Sequence, residues 1–371
     1  MRISVRGALL CIRSVRSNGT GMRSILAPLT WPLAALLRLR HALYDAGLLR
    51  STRPAVPTIA IGNLALGGTG KTPMLELVLR TLEDQRPLAT LSRGYGRQGT
   101  DIHEVHPGDT ADRSGDEPVQ VKRNFPAVRV FVGVDRVKAI AAIQELVPGV
   151  KAVVLDDALQ HRRLDAGLNI LLTTARRPYC DDALVPVGTL RDLRARARCA
   201  QVVVVTKCPA HPTPAEQAVW RERLGLRPHQ QLFFAGLAHG APCLPDGRPL
   251  APPPGREHSA LVVTGIARPE PLVAHARSLF GRVEHLRFRD HHAFTAADLA
   301  RLAGRFDTFA PAPKVLITTE KDAARLRPLL ADGPLRDLPV ATIGIRTVIL
   351  NEPERFAELL HRHVGTHPAH R

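Results

Sequence analysis

Short β-branched or apolar runs alternate with polar or helical stretches between residue 54 and about residue 235 of this chain of 371 residues. The runs are four or five residues long, which is typical of strands. They occupy residues 58–61, 88–91, 128–132, 152–155, 168–172 and 202–205. Because strands that alternate with helices favour a parallel sheet wrapped by helices, we predict an α/β core over residues 54–240.

A second series of elements follows residues 241–257, a stretch rich in proline and glycine that predicts a linker or an exposed loop. Strand patterns at 261–264, 315–318 and 340–343, with a helix pattern at 272–279, predict a smaller α/β lobe over residues 241–349. A closing helix is expected at 352–364, within a C-terminal segment 350–371. Two lobes with a cleft suit a transferase that must keep water away from a phosphoryl group.

The first strand pattern leads into a turn with three glycines, and Lys71 and Thr72 then open a helix with one apolar face. Backbone N–H groups of such a loop cradle phosphate oxygens, the lysine reaches the outer phosphates, and the threonine hydroxyl can ligate Mg²⁺. We therefore predict a P-loop NTPase-like fold that binds a nucleoside triphosphate. The predicted nucleotide-binding residues are Gly67, Gly68, Thr69, Gly70, Lys71 and Thr72. Ala65 stands where the pattern usually has its first glycine, and a plain glycine turn is the alternative.

Two carboxylates, Asp156 and Asp157, directly follow the apolar run at 152–155. In a P-loop protein the acid that holds magnesium lies at the carboxyl end of a strand near the loop. Both residues are therefore candidate magnesium ligands. Solvated turn residues are the alternative.

Two more segments carry candidate chemistry for phosphoryl transfer. Residues 92–97 place two arginines and Tyr95 on a glycine-rich turn, which can bind a phosphate or can be an ordinary basic turn. Asp116 and Glu117 lie in a Gly-Asp-Glu-Pro sequence. A kinase needs an acid to accept or orient the proton of the acceptor hydroxyl, although the same sequence can simply start a helix.

The second lobe contains an Asp-His-His sequence in which His291 is the central residue. It indicates either a metal site or a histidine that a neighbouring acid orients across the cleft. Thr295 with Asp298 three residues later predicts a helix N-cap, so this loop is expected to be ordered. The charges at residues 320–322 either face the cleft or cap a helix.

The formal net charge of +17 calls for an anionic partner or surface. Residues 1–53 hold nine arginines against one acid, Asp45. Nucleic acid is the less favoured partner, because no RNA-binding signature and no basic segment interleaved with aromatic residues occurs. An anionic membrane surface is the better interpretation, and no protein partner is implied.

Residues 25–37 are apolar and are followed by Arg38 and Arg40. This stretch is shorter than the roughly 20 residues that cross a bilayer. Trp31, the leucines and the flanking arginines suit a helix that lies in the membrane interface, so we predict a membrane-associated segment over residues 22–53. A helix docked on the protein's own core is the alternative. Met22 is a more natural start than Met1, so residues 1–21 are expected to be either a disordered extension or the result of a start-site error.

Five scattered cysteines form no C-x-x-C pair, which favours a reducing compartment and argues against a disulfide or zinc framework. Thr206 and Lys207 follow the run at 202–205 and are similar to the element by which GTPases hold guanine. Pro209 occupies the position of its aspartate, so ATP is the expected nucleotide.

Taken together, these motifs resemble the tetraacyldisaccharide 4'-kinases of lipid A biosynthesis from about Met22 to the C-terminus. The motifs that carry the resemblance lie at residues 62–63, 67–73, 92–97, 115–118, 134–136, 156–161, 186–191, 290–294 and 319–322. The resemblance implies transfer of the ATP γ-phosphate to the 4'-hydroxyl of a lipid A disaccharide precursor. It also implies a peripheral enzyme at the cytoplasmic face of the inner membrane.

The resemblance assigns roles to individual residues. Asp116 and His291 correspond to the catalytic acid and histidine of the family. Thr72, Asp156, Asp157 and Gln160 would surround Mg²⁺, and Tyr95, Arg136, His161 and Arg191 would line the active site or contact the sugar. Asp192 stands where the family typically has glutamate, so its role is open.

Two rival functions remain at this stage. One is a soluble P-loop kinase or ATPase whose substrate is unrelated to lipid, for which the N-terminal helix would be dispensable. The other is a nucleotide-switched binding protein of the GTPase type, which Pro209 argues against and which competition between guanine and adenine nucleotides would decide.

Overall fold

The computed structural model describes residues 20–244, 248–266, 269–289, 292, 294–309, 313–320, 322–323, 325–326 and 333–366. The extension predicted over residues 1–21 therefore lies almost wholly outside the described residues. The chain divides into two units, one made of Met1–Gly236 with Val348–Arg371 and the other of Leu237–Thr347.

The larger sheet has nine strands. They are β1 (Thr58–Asn63), β2 (Leu88–Ser92), β3 (His103–Glu104), β4 (Arg129–Val132), β5 (Ala152–Asp156), β6 (Leu168–Thr174), β7 (Val202–Thr206), β8 (Gln231–His239) and β13 (Ile345–Ile349). Their order is β13-β8-β7-β6-β1-β5-β2-β4-β3. All neighbours from β8 to β4 are parallel, and β3 is antiparallel to β4. The predicted α/β class and the six predicted strands of this region are confirmed.

Helices cover this sheet because both of its faces are apolar. The helices of the larger unit are α1 (Thr20–Asp45), α2 (Lys71–Thr81), α3 (Ala111–Ser114), α4 (Asp116–Asn124), α5 (Arg136–Leu146), α6 (Pro214–Arg223) and α9 (Pro353–Gly365). Successive residues of β5 point to opposite faces, so Val153 packs in one core and Val154 in the other. The closing helix α9 packs in the same core as Val154, where Phe356 lies edge-on to Phe233 with ring centroids 5.1 Å apart.

In the described part of the smaller unit, a four-stranded parallel sheet is accompanied by two helices. Its elements are β9 (Ser259–Thr264), α7 (Glu270–Leu279), β10 (Arg282–Arg287), α8 (Ala296–Phe309), β11 (Lys314–Thr319) and β12 (Val340–Ile343), and the strand order is β10-β9-β11-β12. Thr295 caps α8 as predicted, because its hydroxyl accepts from Asp298 N while the Asp298 carboxylate accepts from Thr295 N. Asp322 is fully buried, and its N–H donates to the Thr319 hydroxyl at 2.9 Å as in a helix cap, while its carboxylate accepts from Gly265 N at 2.9 Å.

Helix α1 is longer than the apolar stretch that predicted it, and it contains Pro28 and Pro32. Several large apolar side chains of α1 are exposed, among them Trp31, Leu36 and Leu39. Within the described part of the chain, no helix is both long and apolar enough to cross a membrane.

Candidate active site

The glycine-rich loop (residues 64–70) joins the central strand β1 to α2. Gly67 and Gly70 have φ values of 103° and 89°, a left-handed region that glycine enters without steric cost. Gly70 is the N-cap of α2 and has no side chain to bond the first-turn N–H groups. These donors, at the positive end of the helix dipole, are therefore available to an anion.

Asn63, the last residue of β1, connects the loop to the surrounding polar residues. Its side chain is fully buried, and its amide donates to Ala65 O at 2.6 Å. Its Oδ1 atom accepts from Arg191 Nη2 at 2.8 Å and lies 3.5 Å from Lys71 Nζ. Asn63 was part of a motif in the sequence, but its position between Lys71 and Arg191 depends on how the strands pair.

Asp157 is an ion-pair partner rather than an open carboxylate. Its carboxylate receives both terminal nitrogens of Arg191, with Nη1 at 2.8 Å from Oδ2. Lys71 Nζ lies 3.9 Å from the same carboxylate. The backbone of Asp157 is left-handed, with φ of 52°, so the chain turns sharply at the end of β5. This pairing fixes Arg191 and leaves the lysine only loosely held.

Asp156, at the carboxyl end of β5, is buried to 6% exposure, and no described residue donates a hydrogen bond to its Oδ1 atom. Burial, together with the negative charges of nearby Glu117 and Asp157, raises the pKa of Asp156 to about 7. The buried Oδ1 atom of Asp156 therefore needs either a bound proton or a bound cation to offset the cost of its burial.

Thr72, Glu117 and Asp156 share the wall of one small pocket beside α2 and α4. The sequence singled out Asp116 from the Gly-Asp-Glu-Pro segment, but it is Glu117 that lies close enough to interact with Asp156. Both acids are exposed in the first turn of α4, which starts after Gly115. The sequence contained a signal for Glu117, because two adjacent acids in a helix point in different directions. Either of the two could therefore have faced Asp156.

These oxygen donors suit magnesium. Among the residues that the structure describes, no three His, Cys, Asp or Glu side chains form a metal-binding group. Mg²⁺ does not require such a group, since it is usually held by one or two carboxylates with phosphate and water completing the octahedron. The unpartnered Oδ1 of Asp156, the Glu117 carboxylate and the Thr72 hydroxyl form such a set.

Gln160 and His161 lie on the loop that follows β5. The Gln160 amide donates to Asn63 O at 2.8 Å, while no described group bonds its buried Oε1 atom. Burial, together with the positive charge of Arg136, lowers the pKa of His161. Its buried Nε2 atom also lacks a hydrogen-bond partner among the described residues. Both side chains thus present open polar atoms.

The other predicted site residues differ in their surroundings. Arg136 is buried and donates to Gly133 O at 2.7 Å, and burial lowers its pKa. Tyr95 is 92% exposed. His291 lies outside the described residues, so its pairing with Asp116 stays a prediction. Its neighbour His292 contacts Asp298 at 3.0 Å.

The end of α1 lies against this site. Arg40 Nη2 donates to Gln160 O at 2.8 Å, and His41 contacts Asp192 at 2.7 Å. Arg162 donates to His41 O at 3.0 Å and also pairs with Asp45. Asp192, whose role the sequence left open, therefore bonds α1.

A parallel sheet with a glycine-rich loop after its central strand holds nucleotides, and the adjacent carboxylates suit phosphate chemistry. The fold and the site together thus define the class of protein as a nucleotide-dependent phosphotransferase.

Comparison with known proteins gives the family. A sequence profile of the family described as Tetraacyldisaccharide-1-P 4'-kinase matches residues 22–365. The tetraacyldisaccharide 4'-kinase of Bacteroides thetaiotaomicron is 38% identical over 348 residues, 89% of this chain and 90% of that protein. The Bacteroides fragilis enzyme of the same name is 39% identical over 320 residues, 84% and 85% of the two chains. The chain therefore belongs to the tetraacyldisaccharide-1-P 4'-kinase family.

A solved structure is similar over nearly the whole chain. A crystal structure of LpxK from Aquifex aeolicus in complex with ATP has a TM-score of 0.61 and 25% identity. The similarity covers 92% of this chain and 99% of that one. The family similarity thus extends to the fold.

Proposed function

We propose that this chain transfers the γ-phosphate of ATP to the 4'-hydroxyl of a tetraacyldisaccharide 1-phosphate in lipid A biosynthesis. The observation that carries the proposal is Asp156, a buried carboxylate with an unpartnered oxygen at the end of the strand next to the one that leads into the glycine-rich loop. Family membership supplies the identity of the acceptor.

The loop acts as a P-loop. Gly67, Gly68, Thr69 and Gly70 present backbone N–H groups to the phosphates, as the left-handed glycines and the uncapped start of α2 favour. Lys71 is held by long contacts, 3.5 Å to Asn63 Oδ1 and 3.9 Å to Asp157, so its ammonium can turn to the outer phosphates at little cost.

Thr72, Asp156 and Glu117 would hold Mg²⁺ directly. Asp157, another predicted ligand, acts from beside the metal because its carboxylate orients Arg191, whereas the open Oε1 atom of Gln160 stays available to the metal or its water. When bound, Mg²⁺ neutralises charge on the β- and γ-phosphates. Arg191, fixed by Asp157 and Asn63, adds a cation that cannot lose its proton at the edge of the same site.

The acceptor hydroxyl needs a group that takes or orients its proton. Asp116 is exposed at the start of α4 and is available for this role, with His291 as the partner that the family resemblance assigns. Tyr95, Arg136 and His161 are proposed to contact the disaccharide or its phosphate.

The acceptor is a lipid, so the enzyme works as a peripheral protein at the cytoplasmic face of the inner membrane. Exposed Trp31, Leu36 and Leu39 on α1 support this proposal, as do the arginines on the same helix. The contacts of Arg40 and His41 place the far end of α1 against the active-site loop.

The proposal is tested by incubating the purified chain with Mg²⁺, the lipid acceptor in detergent micelles and ATP labelled in either the α- or the γ-phosphate. We expect only the γ-label in the lipid fraction, and no transfer by Lys71→Ala or Asp156→Asn. Unlabelled ATP should suppress labelling far more than GTP does. Absence of lipid labelling with intact, folded protein would refute the proposal, and preferential suppression by GTP would favour a GTPase-type protein.

A further inference from the structure

Residues at the end of β7 hydrogen-bond the glycine-rich loop, although β7 lies two strands away from β1 in the sheet. Thr206, the last residue of β7, donates its hydroxyl to Thr69 O at 2.7 Å. The next residue, Lys207, donates its ammonium to Gly68 O at 2.6 Å. Two consecutive residues thus bond two consecutive carbonyls of the loop.

These two bonds decide where the loop N–H groups point. A trans peptide is planar, and its C=O and N–H point in opposite directions. The carbonyl of Gly68 shares a peptide with the N–H of Thr69, and the carbonyl of Thr69 shares one with the N–H of Gly70. Holding both carbonyls toward β7 therefore turns both N–H groups away from it, to the opposite side of the loop.

Lys207 and Thr206 lie beside Gly68 and Gly70 at ordinary contact distances. A Cβ atom added at Gly68 would lie 3.9 Å from Lys207 Nζ, and one added at Gly70 would lie 4.0 Å from Thr206 Cβ. Thr206 is buried, and its hydroxyl also lies 3.2 Å from Thr173 O. A hydroxyl has one proton, so the shorter contact, to Thr69, is the principal bond.

The backbone of Lys207 is itself unusual. Its φ is 58°, in the left-handed region that costs a side-chain-bearing residue about 1 kcal/mol or more. The turn is held because Cys208 N donates to Ala235 O at 3.0 Å. Glycine would adopt this conformation without strain, so the lysine at this position indicates a use for its side chain.

We infer that Thr206 and Lys207 are positioning residues of the nucleotide site, which hold the peptides of Gly68 and Thr69 so that the loop presents its N–H groups to the phosphates of ATP. The inference rests on the proposed ATP-dependent function and deepens it. It also gives the Thr206-Lys207 pair a purpose other than guanine binding, since its contacts go to the phosphate loop.

Four variants separate the hydroxyl, the ammonium and the backbone strain. Thr206→Val removes the hydroxyl at nearly constant volume, and Thr206→Ser restores it. Lys207→Ala removes the ammonium and keeps the strain, whereas Lys207→Gly removes both. Thr174→Val is the matched control, because Thr174 is the partner of Thr206 in β6 but donates to Arg177 O.

The measurements are ATP binding by calorimetry without acceptor, and the KM values for ATP and for the lipid in the full chain. We expect Thr206→Val, Lys207→Ala and Lys207→Gly each to weaken ATP binding and raise the KM for ATP about three- to tenfold, the range expected for one lost hydrogen bond. The KM for the lipid should stay within twofold, and Thr206→Ser and Thr174→Val should behave like the wild type.

Two results would overturn the inference while leaving the kinase function standing. One is wild-type ATP binding by all of these variants. The other is a Lys207→Gly variant that binds ATP as tightly as the wild type or more tightly, which would show that the side chain is dispensable. A wild-type chain that binds no ATP would instead refute the proposed function. Thermal unfolding of each variant shows whether a loss of ATP binding reflects the site or the fold. If Lys207→Ala or Lys207→Gly has a strongly lowered unfolding temperature, Lys207→Met takes its place, because it removes the ammonium and keeps most of the side chain.

Discussion

The imidazole of His41 lies 2.7 Å from the carboxylate of Asp192, although the two residues are 151 positions apart in the sequence. Both side chains are almost fully buried. Asp192 directly follows Arg191, whose guanidinium binds Asp157 and Asn63. The contact thus joins α1 to the segment that carries Arg191, an arginine of the candidate site.

Asp192→Ala should destabilise the fold by about 1–3 kcal/mol, because it leaves the buried Nε2 atom of His41 without the carboxylate that it contacts. It should also lower kcat/KM, since Arg191 loses a fixed neighbour. Denaturant unfolding and steady-state kinetics measure both effects. The double variant with His41→Ala should be little worse than the poorer single variant. Fully additive losses would show that the two side chains act independently.

Asp156 should make the stability of the metal-free protein depend on pH. Its pKa is raised from 3.8 to about 7, so between these values the folded state binds more protons than the unfolded state. The free energy of unfolding therefore falls as pH rises across that window, by up to about 4 kcal/mol at 1.4 kcal/mol per pH unit.

Asp156→Asn should remove most of this dependence, so the variant is more stable than the wild type at pH 8 and similar to it at pH 4, while its kinase activity is lost. Unfolding in the presence of a chelator at both pH values measures the difference. Asp165→Asn, at an exposed acid, is the matched control. An identical pH slope in Asp156→Asn and the wild type would contradict the structure.

Glu117 and Asp116 should differ in kind although they are adjacent. Glu117→Gln should raise the Mg²⁺ concentration needed for half-maximal rate about tenfold, because the pocket with Asp156 and Thr72 loses a charge. Asp116→Asn should lower kcat by roughly 10²–10⁴-fold, the usual range for a general acid or base, with the Mg²⁺ requirement unchanged. Magnesium titrations of both variants decide the matter, and a reversal of the two phenotypes would exchange their roles.

The exposed apolar residues of α1 should hold the enzyme on membranes. A variant with glutamine at positions 31, 36 and 39 keeps the contacts of Arg40 and His41 but removes three apolar side chains, each contributing about 1.5–3 kcal/mol when buried. Its association with anionic vesicles should fall at least tenfold, and the KM for vesicle-borne acceptor should rise while the KM for ATP does not.

Leu146→Gln and Val219→Gln, at exposed apolar positions on α5 and α6, control for a general loss of surface hydrophobicity. The remaining association should weaken with salt, because the Debye length falls from about 10 Å at 0.1 M to 3 Å at 1 M. Sedimentation of the triple variant equal to that of the wild type would place the membrane contact elsewhere.

The buried strands could be predicted from the sequence because every residue of β1, β5 and β7 is buried, which gives unbroken apolar runs. The edge strand β10 could not, since half of the residues of Arg282–Arg287 are charged and none of its residues is fully buried. A buried strand requires apolar residues, which the sequence shows, whereas backbone pairing at a sheet edge places no such requirement on the side chains.

The sequence predicts candidate site residues where they are contiguous, and their roles stay predictions. The loop from Gly67 to Thr72 and the acid at the end of β5 follow one another in known patterns. The central position of Asn63 and the approach of Glu117 to Asp156 depend on strand register, which pairs Ile61 with Asp156, and on where α4 packs. Such relations arise only when distant segments meet.

The most direct test of the account is to locate the phosphate that the enzyme adds. The full chain is incubated with ATP, Mg²⁺ and a tetraacyldisaccharide 1-phosphate in micelles, and tandem mass spectrometry assigns the new phosphate to one sugar. We predict a single added phosphate at the 4'-position, formed by the wild type and absent with Asp156→Asn. A phosphate elsewhere on the disaccharide, or equal product from Asp156→Asn, would contradict the account.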